Sequence, residues 1–173
     1  MDTDVVLLRP FAYSGDYFFN LQWESNNVGH FICGNVMNAK PHSDHFKTLY
    51  EESINNFSNS KRRKFGDIGP RLLSDCVISG MGTELRQWVF SPVFFNSIDW
   101  TEVENLNRPF SALADYLNDS RVLGVHLWNS RTYAHSRQED KSLMALLSSP
   151  AGRAELRNCI PRQAPQVSPD QAN

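Results

Sequence analysis

The chain has 173 residues, 40% of them hydrophobic and 21% charged, enough for one domain with a core of its own. A formal net charge of −2 argues against nucleic acid or an anionic membrane as partner. No stretch approaches the about 18–20 continuous apolar residues of a membrane span. Cys33, Cys76 and Cys159 are odd in number and widely spaced, which fits neither a disulfide framework nor a zinc knuckle. Buried thiols favour a reducing compartment.

In chain order, Val5-Val6-Leu7-Leu8 is an apolar run closed by Arg9-Pro10 and reads as a buried strand. Phe18 to Trp23 reads as a second short strand, and Phe31 to Asn35 leads into a loop ending around Pro41. Ser43 or Pro41 then opens a helix with Asp44 in its first turn. Phe46, Leu49, Tyr50, Ile54 and Phe57 fall along it at helical spacing. Asn59 to Asp67, with the basic run Lys61-Arg62-Arg63-Lys64, reads as a solvated loop. Gly69-Pro70 opens another helix, with Leu72, Leu73, Cys76 and Val77 on one face. Gln87 to Phe90 reads as a strand ended by Pro92, and Ser97 to Asn107 as irregular. Pro109 starts a short helix through Ala112, Leu113 and Leu117. Arg121 to Trp128 is a strand, and Ser136 to Ser148 and Pro150 to Cys159 are helices. Residues 161–173 read as a disordered tail, leaving one domain over 1–160. Alternating strands and helices give the class α/β.

Three motifs carry chemistry. Asp2-Thr3-Asp4 sets two carboxylates at one strand end. Residues i and i+2 of an extended chain face the same way, so both can reach one cation. Mn²⁺ and Mg²⁺ take such oxygen ligands, and a departing diphosphate needs one of them. Gly69-Pro70 puts a permissive backbone and a helix start together, where exposed N–H groups can meet a ligand oxygen. His126-Leu127-Trp128 puts an imidazole at a strand end with an indole two residues on, on the same side if the strand continues. His126 is equally a residue type found satisfied in a core, and Gly69-Pro70 an ordinary helix start. His42 and His45, three apart at a helix start, are open to a metal or to plain surface roles. Asp99-Trp100 is open to an acceptor sugar or to core packing.

The string DTDVVLLRPF resembles the D-x-D strand of sugar-nucleotide transferases with the GT-A fold. More narrowly it resembles the family grouped with the α-1,4-galactosyltransferase that makes globotriaosylceramide and with the D-x-D sugar-transferase region of capsular and mannosyl transferases. Three stretches follow in that family's order: Phe31 to Ala39, with Gly34-Asn35 in place of its Asn-Gly-rich turn, then Gly69 to Asp75, then Val125 to Asn129. The resemblance covers about residues 1–148.

It implies the C-terminal portion of a Rossmann-like GT-A domain, a mixed sheet with flanking helices, starting at the D-x-D motif. It further implies transfer of a sugar, with retention, from a UDP- or GDP-sugar to a glycan, glycolipid or surface polysaccharide hydroxyl, with Mn²⁺ or Mg²⁺ as cofactor. Asp2, Asp4 and His126 are then the metal ligands, with Asp2 working through water or turned to the donor ribose or sugar. Asp2, Thr3, Asp4, Gly69, Pro70 and Trp128 form the donor side. Trp100 is a candidate on the acceptor side. Asp75 is the one carboxylate put forward for catalysis, a helix-surface role being its alternative. The family's base-binding strands lie before the D-x-D, so a chain starting there is expected to bind donor poorly or to be an inactive remnant or binding fragment. Bacterial relatives work at the cytoplasmic face, in peripheral contact with the membrane, and relatives with an N-terminal anchor in the Golgi lumen. The absence of paired cysteines favours the former.

Overall fold

In the computed structural model, residues 1, 4–22, 31–59, 66–80, 83–128 and 142–159 are described. The strands are β1 (Val5–Leu7), β2 (Tyr17–Gln22), β3 (Phe31–Ala39), β4 (Val89–Phe90) and β5 (Gly124–His126). The α-helices are α1 (Asp44–Asn59), α2 (Pro70–Ser74), α3 (Ala114–Leu117), α4 (Leu143–Ser148) and α5 (Pro150–Cys159). The class is mixed α/β, with a two-stranded sheet β1-β5 and a three-stranded sheet β3-β2-β4 among the described residues. Where the sequence reads as one domain over 1–160, the chain divides into two units. Tyr13–Ser91 make the body of the first, and Thr3–Ala12 with Pro92–Val167 the second. The tail at 161–173 lies outside the described residues.

In the first unit β2 pairs antiparallel with β3 and parallel with β4. The apolar run Tyr17, Phe18, Phe19 is buried on both faces of the sheet. One face packs Tyr17 and Phe19 with Ile32, Leu49, Leu73, Val77 and Leu85. On another side Phe18 stacks on Phe90 at 4.6 Å between ring centroids. The expected loop after Asn35 is in fact strand: β3 continues to Ala39. Gly34-Asn35 is absorbed as a bulge, because the register jumps from Phe19↔Met37 to Asn20↔Cys33. Asn35 supplies its own side-chain oxygen to the Val36 amide at 2.8 Å, replacing a lost ladder bond.

Ser43 caps α1, its hydroxyl accepting from Phe46 N and meeting the Tyr17 hydroxyl at 3.0 Å. The apolar spacing along α1 does not mark one buried face. Leu49 is buried, whereas Tyr50, Ile54 and Phe57 are exposed. Sixteen residues make a helix about 24 Å long, and only its first half, through Phe46 and Leu49, packs on the sheet core. Pro70 opens α2 as expected, with Leu73, Cys76 and Val77 buried. The helix then widens into a π-helix over Asp75–Gly80.

In the second unit Ile98, Val103, Leu106, Leu113, Leu117, Val125, Leu143 and Leu156 share one core. Segment 97–107 is partly ordered as a 3₁₀ turn at Val103–Asn107. Ser142 caps α4 by accepting from Ala145 N at 3.2 Å; the first half of the expected 136–148 helix lies mostly outside the described residues. The strand expected over 121–128 is shorter, since β1 offers only three residues to pair. Among the described residues no helix is long and apolar enough to cross a membrane.

Candidate functional site

The antiparallel register Val5↔His126, Val6↔Val125, Leu7↔Gly124 decides where the chemistry gathers. It brings the residue just before β1 level with the end of β5, and Leu127 N donates to Asp4 O at 2.8 Å. The side chains follow: Asp4 Oδ1 and His126 Nε2 are 3.2 Å apart. The other edge of β5 is fixed as well, Leu123 N donating to Phe94 O and His126 N to Phe95 O. Gly124 allows this close packing. A Cβ there would stand 2.7 Å from Val6 O and 3.0 Å from the Phe95 ring.

Trp128 completes the group by a route the sequence does not foretell. β5 stops at His126, so alternation cannot place the indole. Instead Trp128 takes a left-handed backbone, φ 50°, a conformation uncommon outside glycine and costly for a bulky residue. Its indole lies 3.9 Å from the imidazole between centroids, tilted by 37°. Nε1 donates to Ile98 O at 3.0 Å. An aromatic ring held in a strained turn against an imidazole–carboxylate pair is the sort of feature that concentrates at binding sites. His126 is 8% exposed, so the pair sits in a poorly hydrated place where charge interactions are strengthened.

Asp4 Oδ1 and His126 Nε2 stand at ion-pair distance; a carboxylate oxygen and an imidazole nitrogen are also the ligand types that would hold a divalent cation. No group of three or more His, Cys, Asp or Glu side chains placed to hold a metal occurs among the described residues. Asp2 and Thr3 lie outside the described residues.

The remaining motif residues are distributed differently. Gly69, Pro70 and Asp75 belong to the first unit, whereas Asp4, His126 and Trp128 belong to the second. The amides expected to face a ligand at Gly69-Pro70 are taken. Arg71 N and Leu72 N donate to Gly66 O at 3.1 and 3.2 Å. Gly66 reaches that position with φ 88°, open to glycine. The preceding turn thus engages the first amides of this helix.

Asp99 is buried, and its Oδ1 accepts from Thr101 N at 2.8 Å and Thr101 Oγ1 at 2.5 Å, which makes it a turn-forming residue. Trp100 is half-buried in the same turn. His45 Nε2 meets Glu84 Oε1 at 2.9 Å and sits edge-on to Tyr17. Cys33 and Cys76 are buried thiols, and burial raises the Cys76 pKa, with Glu52 and Asp75 adding to it.

Sequence reasoning missed Arg9, read only as the end of a strand. Its guanidinium is buried and donates to Asp119 O at 2.7 Å, Leu117 O at 2.9 Å and Val122 O. It thereby ties the end of β1 to the turn that feeds β5. Burial lowers the Arg9 pKa, and the charge of Asp119 opposes that. An Arg before a Pro carries no signal of such a role.

No family model, curated protein or solved structure matches the chain.

Proposed function

We propose that this chain is a metal-dependent glycosyltransferase of GT-A type. It moves a sugar, with retention, from a nucleotide-diphosphate donor to a hydroxyl acceptor. The observation that carries the reading is the meeting of Asp4 and His126 at 3.2 Å under Trp128. These residues come from the D-x-D and His-x-Trp motifs, more than a hundred positions apart. Mixed α/β composition is compatible with the reading.

On this reading Asp4 and His126 hold Mn²⁺ or Mg²⁺, with Asp2 as the further ligand. The bound cation supplies positive charge against a leaving diphosphate. The chain's own residues do the positioning. The β1–β5 ladder fixes the carboxylate against the imidazole, so no reorganisation is needed when a donor arrives. Ile98 O holds the indole edge, and Trp128 remains half-buried, which leaves part of its surface for a sugar ring. The incoming hydroxyl of a retaining transfer can enter on the leaving-group face, so no protein base is assigned.

At this site only Asp4 and His126 meet among the described residues, which favours as second reading a sugar- or partner-binding domain without catalysis. Titration calorimetry of the full chain with Mn²⁺, followed by UDP- and GDP-sugars, tests both. The expected result is nucleotide-sugar binding that requires Mn²⁺ and weakens about tenfold or more in Asp4→Ala and His126→Ala. Metal binding indifferent to every nucleotide would overturn the proposal. Donor binding without transfer to any hydroxyl acceptor would select the second reading.

A further inference from the structure

In the first unit a cleft of about 380 Å³ opens between α1 and the start of α2, lined by Asn56, Asn59, Asp67, Arg71, Leu72 and Asp75. Its volume falls in the range of about 300–1,000 Å³ common for small-molecule sites. Asn56 and Asn59 are one helical turn apart, so both amides lie on the same side of α1. Asn56 Nδ2 donates to Asp67 O at 3.1 Å, tying α1 to the segment that enters α2. Arg71 and Asp75 are four residues apart, a spacing at which opposite charges on a regular helix usually pair. They do not pair here among the described residues: no ion pair or hydrogen bond engages the side chains of Asn59, Arg71 or Asp75. The π-helix begins at Asp75 itself, and π turns are rare and frequent at functional sites.

We propose that this cleft binds a neutral saccharide through its side chains. A guanidinium and amide N–H groups donate, while a carboxylate and amide oxygens accept. A sugar hydroxyl does both, so a polyol can satisfy all of these groups without leaving a charge stranded. An inorganic anion would meet Asp67 and Asp75, and a simple cation would meet Arg71. Leu72 offers a small apolar surface for the C–H face of a ring. The choice of a saccharide rests on the sugar-transfer reading; the cleft and the side chains of Asn59, Arg71 and Asp75 do not.

The test is a titration of the full chain with neutral disaccharides ending in galactose, glucose or mannose, and separately with inorganic phosphate, followed by amide NMR. The expected outcome is saturable shifts at Asn56, Asn59, Arg71 and Asp75 with at least one disaccharide. Affinity should drop about tenfold in Asp75→Asn and in Arg71→Ala. Asn59→Ala, on the exposed end of α1, serves if either variant melts early. The proposal fails if no disaccharide moves these signals, if phosphate moves them as strongly, or if all the cleft variants bind like the parent. Saccharide binding that persists while Mn²⁺ and nucleotide-sugars fail to bind would sink sugar transfer and leave the cleft standing. The reverse result would sink the cleft alone.

Discussion

Arg9 shows how much of the second unit hangs on one side chain. It answers three backbone carbonyls from residues 108–113 positions further along. Without the guanidinium the buried Leu117 and Val122 oxygens lose this donor, each loss costing about 1–3 kcal/mol, while Asp119 O keeps the Val122 amide. Arg9→Ala should therefore destabilise the second unit by about 3 kcal/mol in denaturant titration. Arg9→Lys should recover little, because one ammonium nitrogen cannot stand at both the Nη1 and Nη2 positions from which the guanidinium reaches its acceptors.

Tyr13 makes a corresponding prediction for the first unit. Its hydroxyl donates to Tyr17 O and its ring lies edge-on to Phe18, Trp88 and Phe90. Burial, with Asp16 adding to it, pushes its pKa from 10.0 up to about 12. The folded chain keeps this proton after the unfolded chain has lost it. Stability from this group is therefore full below pH 10 and falls between about 10 and 12. Tyrosinate absorbance and melting curves across that window should show a late-titrating group that Tyr13→Phe removes.

At the scale of elements, the close contact at Gly124 is the feature that aligns β1 with β5. Gly124→Val would drive side-chain atoms into Val6 O and the Phe95 ring, and overpacking of this kind costs about 1–3 kcal/mol. We expect the variant to lower stability and to weaken Mn²⁺-dependent binding as well, because Asp4 reaches His126 only through this ladder. Stability lost with metal affinity intact would show that the pairing does not position the site.

The elements differ in how readable they were. Pro150–Cys159 was readable because a Pro at a helix start is a local signal. So was Pro70 as a first helical residue, for the same reason; the start of α1 was left between Ser43 and Pro41, and Ser43 is the cap. β3 beyond Asn35 was not, because a bulge bonded by Asn35's own side chain looks like a turn until its partner strand is known. The exposed half of α1 was not readable either, since periodicity marks an apolar stripe but not how far the neighbouring sheet extends. Within the site, Asp4 and His126 were legible as residue types. Their contact depended on a pairing across the whole chain, and Trp128 depended on a backbone angle that alternation does not contain.

At the scale of the molecule, the division into two units left no trace in composition. The crossing points, Ala12 to Tyr13 and Ser91 to Pro92, carry no glycine-rich or charged linker. The motifs that read as one catalytic set are shared between the units. The metal-type pair and its indole lie in the second, and Gly69, Pro70 and the Asp75 cleft in the first. The Asp4–His126 pair and the cleft can therefore be probed separately by mutation.

The register Leu7↔Gly124 also sets a timetable. A ribosome delivers β5 more than a hundred residues after β1, on the order of ten seconds at ordinary elongation rates. The whole of 13–91 is synthesised in the interval. β1 must wait with its backbone unpaired, a short strand open to the wrong neighbour. The carboxylate–imidazole contact can thus form only after the whole of 13–91 has been made. A nascent chain stopped before residue 126 can own the cleft at Asp75 but not the Asp4–His126 pair.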